Sequence, residues 1–168
     1  MHWYQTTCFD RRAALLYDRH YSRAILNPSR VGLRQIAIAN SLVLVTIDYS
    51  ALWVTARPNP VARNDGADIW LNQIFRNESA IPSSALISEA VAATRWRWPV
   101  IPPGGFITYI DTRHTGCEIA GYCYRRVQPR WKRQGMTTKG MAVLGVSGAQ
   151  LGRVTPQAPQ SFQMRLAM

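Results

Sequence analysis

Residues 69–97 read IWLNQIFRNESAIPSSALISEAVAATRWR, and the way this stretch breaks in its middle sets the fold class. Its first nine residues alternate roughly, with Ile69, Leu71, Gln73 and Phe75 on one side and Trp70, Asn72, Ile74 and Arg76 on the other. That period of two predicts a strand. Glu78 to Pro82 interrupt it. Ser83 or Ser84 then caps a helix running to about Arg97, with Leu86, Ile87, Ala90, Val91 and Thr94 on one face and Pro99 as its stop. GFITYID at 105–111 is the next strand. Strand, helix, strand is a crossover unit, and it favours a right-handed connection between parallel neighbours.

Working outward, LVLVTI and ALWVTA lie on either side of Asp48-Tyr49-Ser50 and read as a hairpin. DRRAALLYDRH at 10–20 is a helix capped by Asp10, with Ala13, Ala14, Leu16 and Tyr17 at helical spacing. PNPVARNDGAD at 58–68 is a loop, and CEIAGYCYRRV is a short amphipathic helical piece. RWKRQGMTT and GMAVLGVSG supply a last strand pair. The tail from 153 is weakly patterned. The sum is a single α/β domain over residues 1–168, with a mixed twisted sheet of about six strands and helices on both faces.

The 168 residues carry a net charge of +11, from 18 Arg and 2 Lys against only 9 acids. A GC-rich genome explains the preference for Arg over Lys, but not the scarcity of acids. The excess points to a polyanionic partner, nucleic acid first. The longest apolar run, SLVLVTI, is strand-sized and far short of a membrane span. Residues 1–12 lack the layout of a secretion signal, which points to the cytoplasm with no membrane partner. Cys8, Cys117 and Cys123 are too few for a disulfide framework. The spacing of His114, Cys117 and Cys123 has a faint metal-site look, but buried thiols are the better reading.

Four constellations carry chemistry. Asp18-Arg19-His20-Tyr21-Ser22-Arg23 sets an imidazole, a phenol and a hydroxyl side by side, though a histidine at a helix end is equally well satisfied by backbone carbonyls. Arg76-Asn77-Glu78 with Ser83-Ser84 puts a cation and an amide at a strand end beside a helix start, a usual ligand position in an open sheet. Against that, Arg76 pairs equally well with Glu78 or Glu89. Asp111 ends its strand as a base, a ligand or a simple cap. Arg125, Arg126, Arg130, Lys132, Arg133 and Lys139, with Trp131 among them, form an acid-free strip with a stacking ring, suited to a phosphate backbone.

DRHYSR, FRNE-x4-SSxLI, FITYID and GYCYRR-x8-GMTTKG, in this order over roughly residues 11–145, resemble the Mom-like phage DNA-modification proteins, relatives of the N-acetyltransferase (GNAT) superfamily. The resemblance implies a splayed acetyltransferase-like sheet. The activity it implies converts adenine N6 in double-stranded DNA to a carbamoylmethyl adduct that shields phage DNA from host restriction. Its polar set would fall on His20, Tyr21, Arg76, Asn77, Ser84, Asp111, and Tyr122 or Tyr124, with a bound iron and acetyl-CoA as donor; His20 and Asp111 would be the iron's ligands or the general base. One departure is plain. The superfamily opens its central helix with a glycine-rich turn that cradles the coenzyme pyrophosphate, whereas ESAIPSSALI has no glycine and Pro82 removes a donor N–H. A different donor reaches the same formula: an N6-glycyl adenine is an isomer of the carbamoylmethyl product, so glycyl transfer from glycyl-tRNA followed by rearrangement would suffice. The rival readings are a plain N-acetyltransferase for a small amine or protein, and a non-catalytic nucleic-acid-binding accessory. A homodimer stays open. On the leading reading, Arg76→Ala leaves the fold intact and abolishes modification.

Overall fold

The computed structural model describes residues 1–38, 40–115 and 119–162. Its strands are β1 (Trp3–Thr6), β2 (Leu42–Thr46), β3 (Ala51–Ala56), β4 (Trp70–Asn77), β5 (Phe106–Ile110), β6 (Lys132–Met136), β7 (Ala142–Val146) and β8 (Gln160–Ser161). The helices are α1 (Arg11–Asp18), α2 (Tyr21–Ala24), α3 (Ser83–Arg97), α4 (Tyr122–Arg125) and α5 (Gly148–Leu151). One mixed sheet runs β6-β7-β5-β4-β3-β2-β1-β8. It has eight strands rather than about six. The two extra ones are short: β1 is four residues, and β8 is two residues paired parallel to β1 at Tyr4 and Gln160.

The central strands are buried on both sides, which is why they read as unbroken apolar runs. Leu42, Leu44, Ala51 and Trp53 face a core shared with α3 and α4. Val43, Val45, Leu52 and Val54 face Ala13, Ala14 and Leu16 of α1. Helices therefore cover both faces. The indole N–H of Trp3 donates to the Leu86 carbonyl at 2.8 Å and ties β1 to α3. Asp10 caps α1 by accepting from the N–H groups of Arg12 and Ala13. Among the described residues no helix is long and apolar enough to cross a membrane.

The crossover unit forms as its sequence implies, with α3 between parallel β4 and β5. Its interior departs from simple alternation. Trp53 pairs with Phe75, Val54 with Ile74 and Thr55 with Asn72, so Gln73 is an extra residue, a β-bulge. The bulge exchanges faces: Trp70 and Phe75, read as opposite, both pack into the larger core. Pairing between β4 and β5 covers only Trp70–Phe106, Leu71–Ile107 and Asn72–Thr108. Beyond that point the two strands run on without pairing, and a cleft opens between them.

α4 seats against β5 and β7 through Gly121. Its φ is 62°, and a Cβ there would lie 2.2 Å from Leu144 Cδ1 and 2.6 Å from Ile110 Cδ1. Only glycine allows both that conformation and that approach.

Candidate functional site

The cleft encloses about 450 Å³. Gln73 and Phe75 of β4 form one wall, and Tyr109 and Ile110 of β5 the other. Asn72, Thr108 and Tyr124 lie at the vertex, and Tyr21, Tyr122 and Met141 add further lining. Among the described residues no Asp, Glu, Lys or Arg lines it.

The vertex is a closed polar network. Asn72, 2% exposed, donates through Nδ2 to the Val54 carbonyl at 3.2 Å and the Ile74 carbonyl at 2.9 Å. It thereby spans the bulge and satisfies its buried carbonyls. Its Oδ1 accepts from Tyr124 Oη at 2.6 Å and Thr108 Oγ1 at 3.1 Å. Burial pushes the Tyr124 phenol well above its usual pKa, so it keeps its proton and donates it in a hydrogen bond to Asn72 Oδ1. The Thr108 side chain is a further hydrogen-bond partner of the phenol.

A ladder of rings leads outward. His20 lies 4.4 Å from Tyr21, and Tyr21 stacks on His114 at 5.6 Å with planes 7° apart. The Tyr21 hydroxyl accepts the Asp111 N–H at 3.3 Å. Burial first, then the Arg76 cation beside it, depress the His20 imidazole to a pKa of about 4. His20 is therefore neutral near pH 7, and its Nδ1 accepts the Ser22 N–H at 3.2 Å.

The structure thus gathers His20, Tyr21, Tyr122 and Tyr124 at the cleft, while Arg76 and Asp111 sit beside His20 and Tyr21 without lining it. Arg76 does not line it. It donates to Glu78 Oε1 at 2.6 Å and to the Arg19 carbonyl at 2.6 Å, inside an Arg19–Glu78–Arg76 network. Glu78, held between two guanidiniums with Arg19 foremost, falls to a pKa of about 2. The expectation for Arg76→Ala therefore changes. It should cost about 1 kcal/mol or less, as a half-exposed pair does, and leave modification intact, as followed by urea midpoint and product assay.

Asn77 braces the turn before α3. Its Nδ2 donates to the Ile81 carbonyl at 2.8 Å and to Ser83 Oγ at 3.0 Å, while its Oδ1 accepts from the N–H and hydroxyl of Ser79. Neither serine caps α3: Pro82 is the N-cap and makes no side-chain bond. Ser84 does not line the cleft either.

Asp111 is 1% exposed, but its carboxylate is engaged by Arg113 at 2.6 and 2.8 Å and by His114 at 3.3 Å. Arg113 chiefly holds it below the usual carboxylate range. His20 and Asp111 thus keep partners other than a shared metal. Among the described residues no group of three or more His, Cys, Asp or Glu could hold one. Cys117 lies outside the described residues. Cys8 and Cys123 are half-buried.

Of the basic strip, Arg126, Arg130, Lys132, Arg133 and Lys139 are exposed and Arg125 is half-buried. β6 carries Lys132 and Arg133 at one edge of the sheet. Trp131 is not an exposed stacking ring. It is 1% exposed and packs 5.0 Å from both Phe106 and Tyr124, because the chain alternates there and turns the indole inward. Tyr122 takes that place, 46% exposed, with its hydroxyl accepting from Arg126 Nε at 3.0 Å and the guanidinium 4.9 Å over its ring. Sequence reasoning missed Asn72 and Thr108, whose polar side chains in an apolar strand were the available signal. It cited His114 only for its spacing to the cysteines.

Fold and site together define an α/β protein with a splayed central strand pair, an uncharged tyrosine-lined cleft and a cationic edge. No protein-family model, curated protein or solved structure gives a match to the chain.

Proposed function

We propose that this protein is a DNA-modifying transferase that acts on the exocyclic N6 of an adenine extruded from the duplex. The observation carrying this reading is a contrast of charge. Among the described residues the cleft has no charged lining, while residues 119–152 beside it hold six cations and no acid. A neutral planar base suits the first and a phosphate backbone the second. A small cationic amine, the substrate of a plain N-acetyltransferase, would call for a carboxylate in the cleft, and none of the described residues lining it supplies one.

Tyr122 at the rim offers a face for stacking. Tyr21 and Tyr122 each accept a protein hydrogen bond, which leaves their O–H groups free to donate to ring nitrogens or a donor carbonyl. Tyr124, its proton committed to Asn72, offers an oxygen to the N6–H, and that commitment strengthens it as an acceptor. The carbamoylmethyl product is carried by the resemblance described above.

The residues before α3 do not fit a coenzyme pyrophosphate. Residues 78–82 contain no glycine, and Asn77 already occupies the turn. No step is therefore assigned to acetyl-CoA, and glycyl-tRNA stays the alternative donor. The test is mass spectrometry of nucleosides from plasmid DNA co-expressed with the protein, with labelled glycine and labelled acetate in parallel. An N6-adduct is expected, and it should vanish with Tyr124→Phe. Unmodified DNA would leave the non-catalytic accessory reading in its place. DNA binding should also weaken roughly 10³-fold between 50 and 200 mM salt if about six phosphates are contacted. A flat salt response would remove the basic edge from the reading.

A further inference from the structure

A second cavity, about 340 Å³, adjoins the cleft. Residues adjacent in the chain line the two: Ala120 lines the second and Gly121 the first, and Gly140 and Ala142 line the second while Met141 lines the first. Arg125 and Arg133 both line it. Arg125 Nε is buried and has no hydrogen-bond partner among the described residues. Two guanidiniums at one cavity, with no acid among its described lining residues, favour an anionic oxygen there. Ile119 and Met136, which also line this cavity, are 48% and 60% exposed and give it an apolar flank.

We propose that this cavity seats the phosphodiester next to the base held in the cleft. Arg125 and Arg133 meet its oxygens, and Ile119 and Met136 lie against the adjoining sugar or base. The inference rests on the base-modifying reading and extends it. One protein unit would hold a nucleotide and its neighbour at once, so that the phosphate fixes the register in which a base enters. The other strip cations would track the backbone without fixing position.

The test uses the intact protein and short fluorescent duplexes with one target adenine, read by anisotropy. One duplex has only natural linkages. The others carry a single uncharged methylphosphonate on one or the other side of that adenine. Wild-type protein is expected to lose about tenfold in affinity for one of the two neutral linkages, about what a lost charge-assisted bond to phosphate costs. Arg125→Gln and Arg133→Gln should each weaken binding to the natural duplex similarly and become indifferent to that linkage. Arg153→Gln, at an exposed cation that lines neither cavity, should change affinity less than threefold. Inorganic phosphate is the probe for a general anion site. If it competes at low millimolar concentration and both neutral linkages bind normally, the cavity takes free anions and the proposal is overturned. Equal behaviour of the Arg125, Arg133 and Arg153 variants overturns it as well, while DNA binding itself survives. Absence of any duplex binding by wild-type protein instead overturns the base-modifying reading along with it.

Discussion

Replacing Asn72 by Leu is expected to destabilise the protein by about 4 kcal/mol, a large share of the 5–15 kcal/mol typical of a whole domain. Leucine has a similar size, so lost packing is not the cause. The amide donates to the Val54 and Ile74 carbonyls and accepts from Tyr124 and Thr108, all within the buried vertex. Removing it takes a donor from two carbonyls and an acceptor from the phenol at once, at roughly 1–3 kcal/mol for each buried group that loses its partner. The Thr108 hydroxyl retains the Asn72 backbone carbonyl at 3.2 Å and so loses less. Urea unfolding should show a lower midpoint with an unchanged slope.

A double-mutant cycle isolates the network from general damage. Tyr124→Phe in the wild-type background removes a donor that Asn72 Oδ1 needs and should cost about 1–2 kcal/mol. In the Asn72→Leu background the same change removes a hydroxyl that has already lost its Asn72 acceptor and should cost clearly less. Additive losses, or an Asn72→Leu loss under about 1 kcal/mol, would show that the bulge is held by something else. The same variant should lose base modification, because Tyr124 no longer has a fixed proton acceptor.

The sequence made the frame legible through its strongest signals. The break at 78–82 separated β4 from α3, and the apolar runs of β2 and β3 announced strands buried on both faces. Three things escaped it for definable reasons. β1 and β8 are too short to show a period, and β8 gains its two pairs only from a partner at the opposite end of the chain. The Gln73 bulge leaves no mark in an alternation count, because inserting one residue makes both faces look mixed. The pairing of Arg76 with Glu78 and the cap that Asp111 makes on the Arg113 N–H were both open readings, but nothing in the sequence says that Arg19 joins Glu78 or that the Arg113 side chain closes on the carboxylate. Charge excess did locate the basic edge. It could not say that Trp131 turns inward while Tyr122 stays out, since both are aromatics flanked by cations.

Stability should also fall as the solution is acidified from pH 6.5 toward 4, by about 3 kcal/mol over that window. His20 has a pKa of about 4 in the folded chain against the ordinary 6.5, owing first to burial and then to the Arg76 cation, with the Phe75 carbonyl partly opposing them. Between these values the unfolded chain takes up a proton that the folded chain refuses. Stability therefore rises with pH through the window and is complete above it, since a tenfold difference in proton affinity between the two states is worth about 1.4 kcal/mol. Glu78, with its folded pKa of about 2, gives a loss of the same sign, but one that begins only near pH 4.5. The upper part of the window therefore belongs to the imidazole. Urea midpoints at half-unit steps from pH 7 to 4.5 measure the slope directly. His20→Gln should flatten it. Arg76→Ala should shrink it without abolishing it, because removing the neighbouring cation raises the imidazole pKa while burial remains. A slope that survives His20→Gln unchanged would place the titrating group elsewhere, and would reopen His20 as a ring able to take a proton at the cleft near neutral pH.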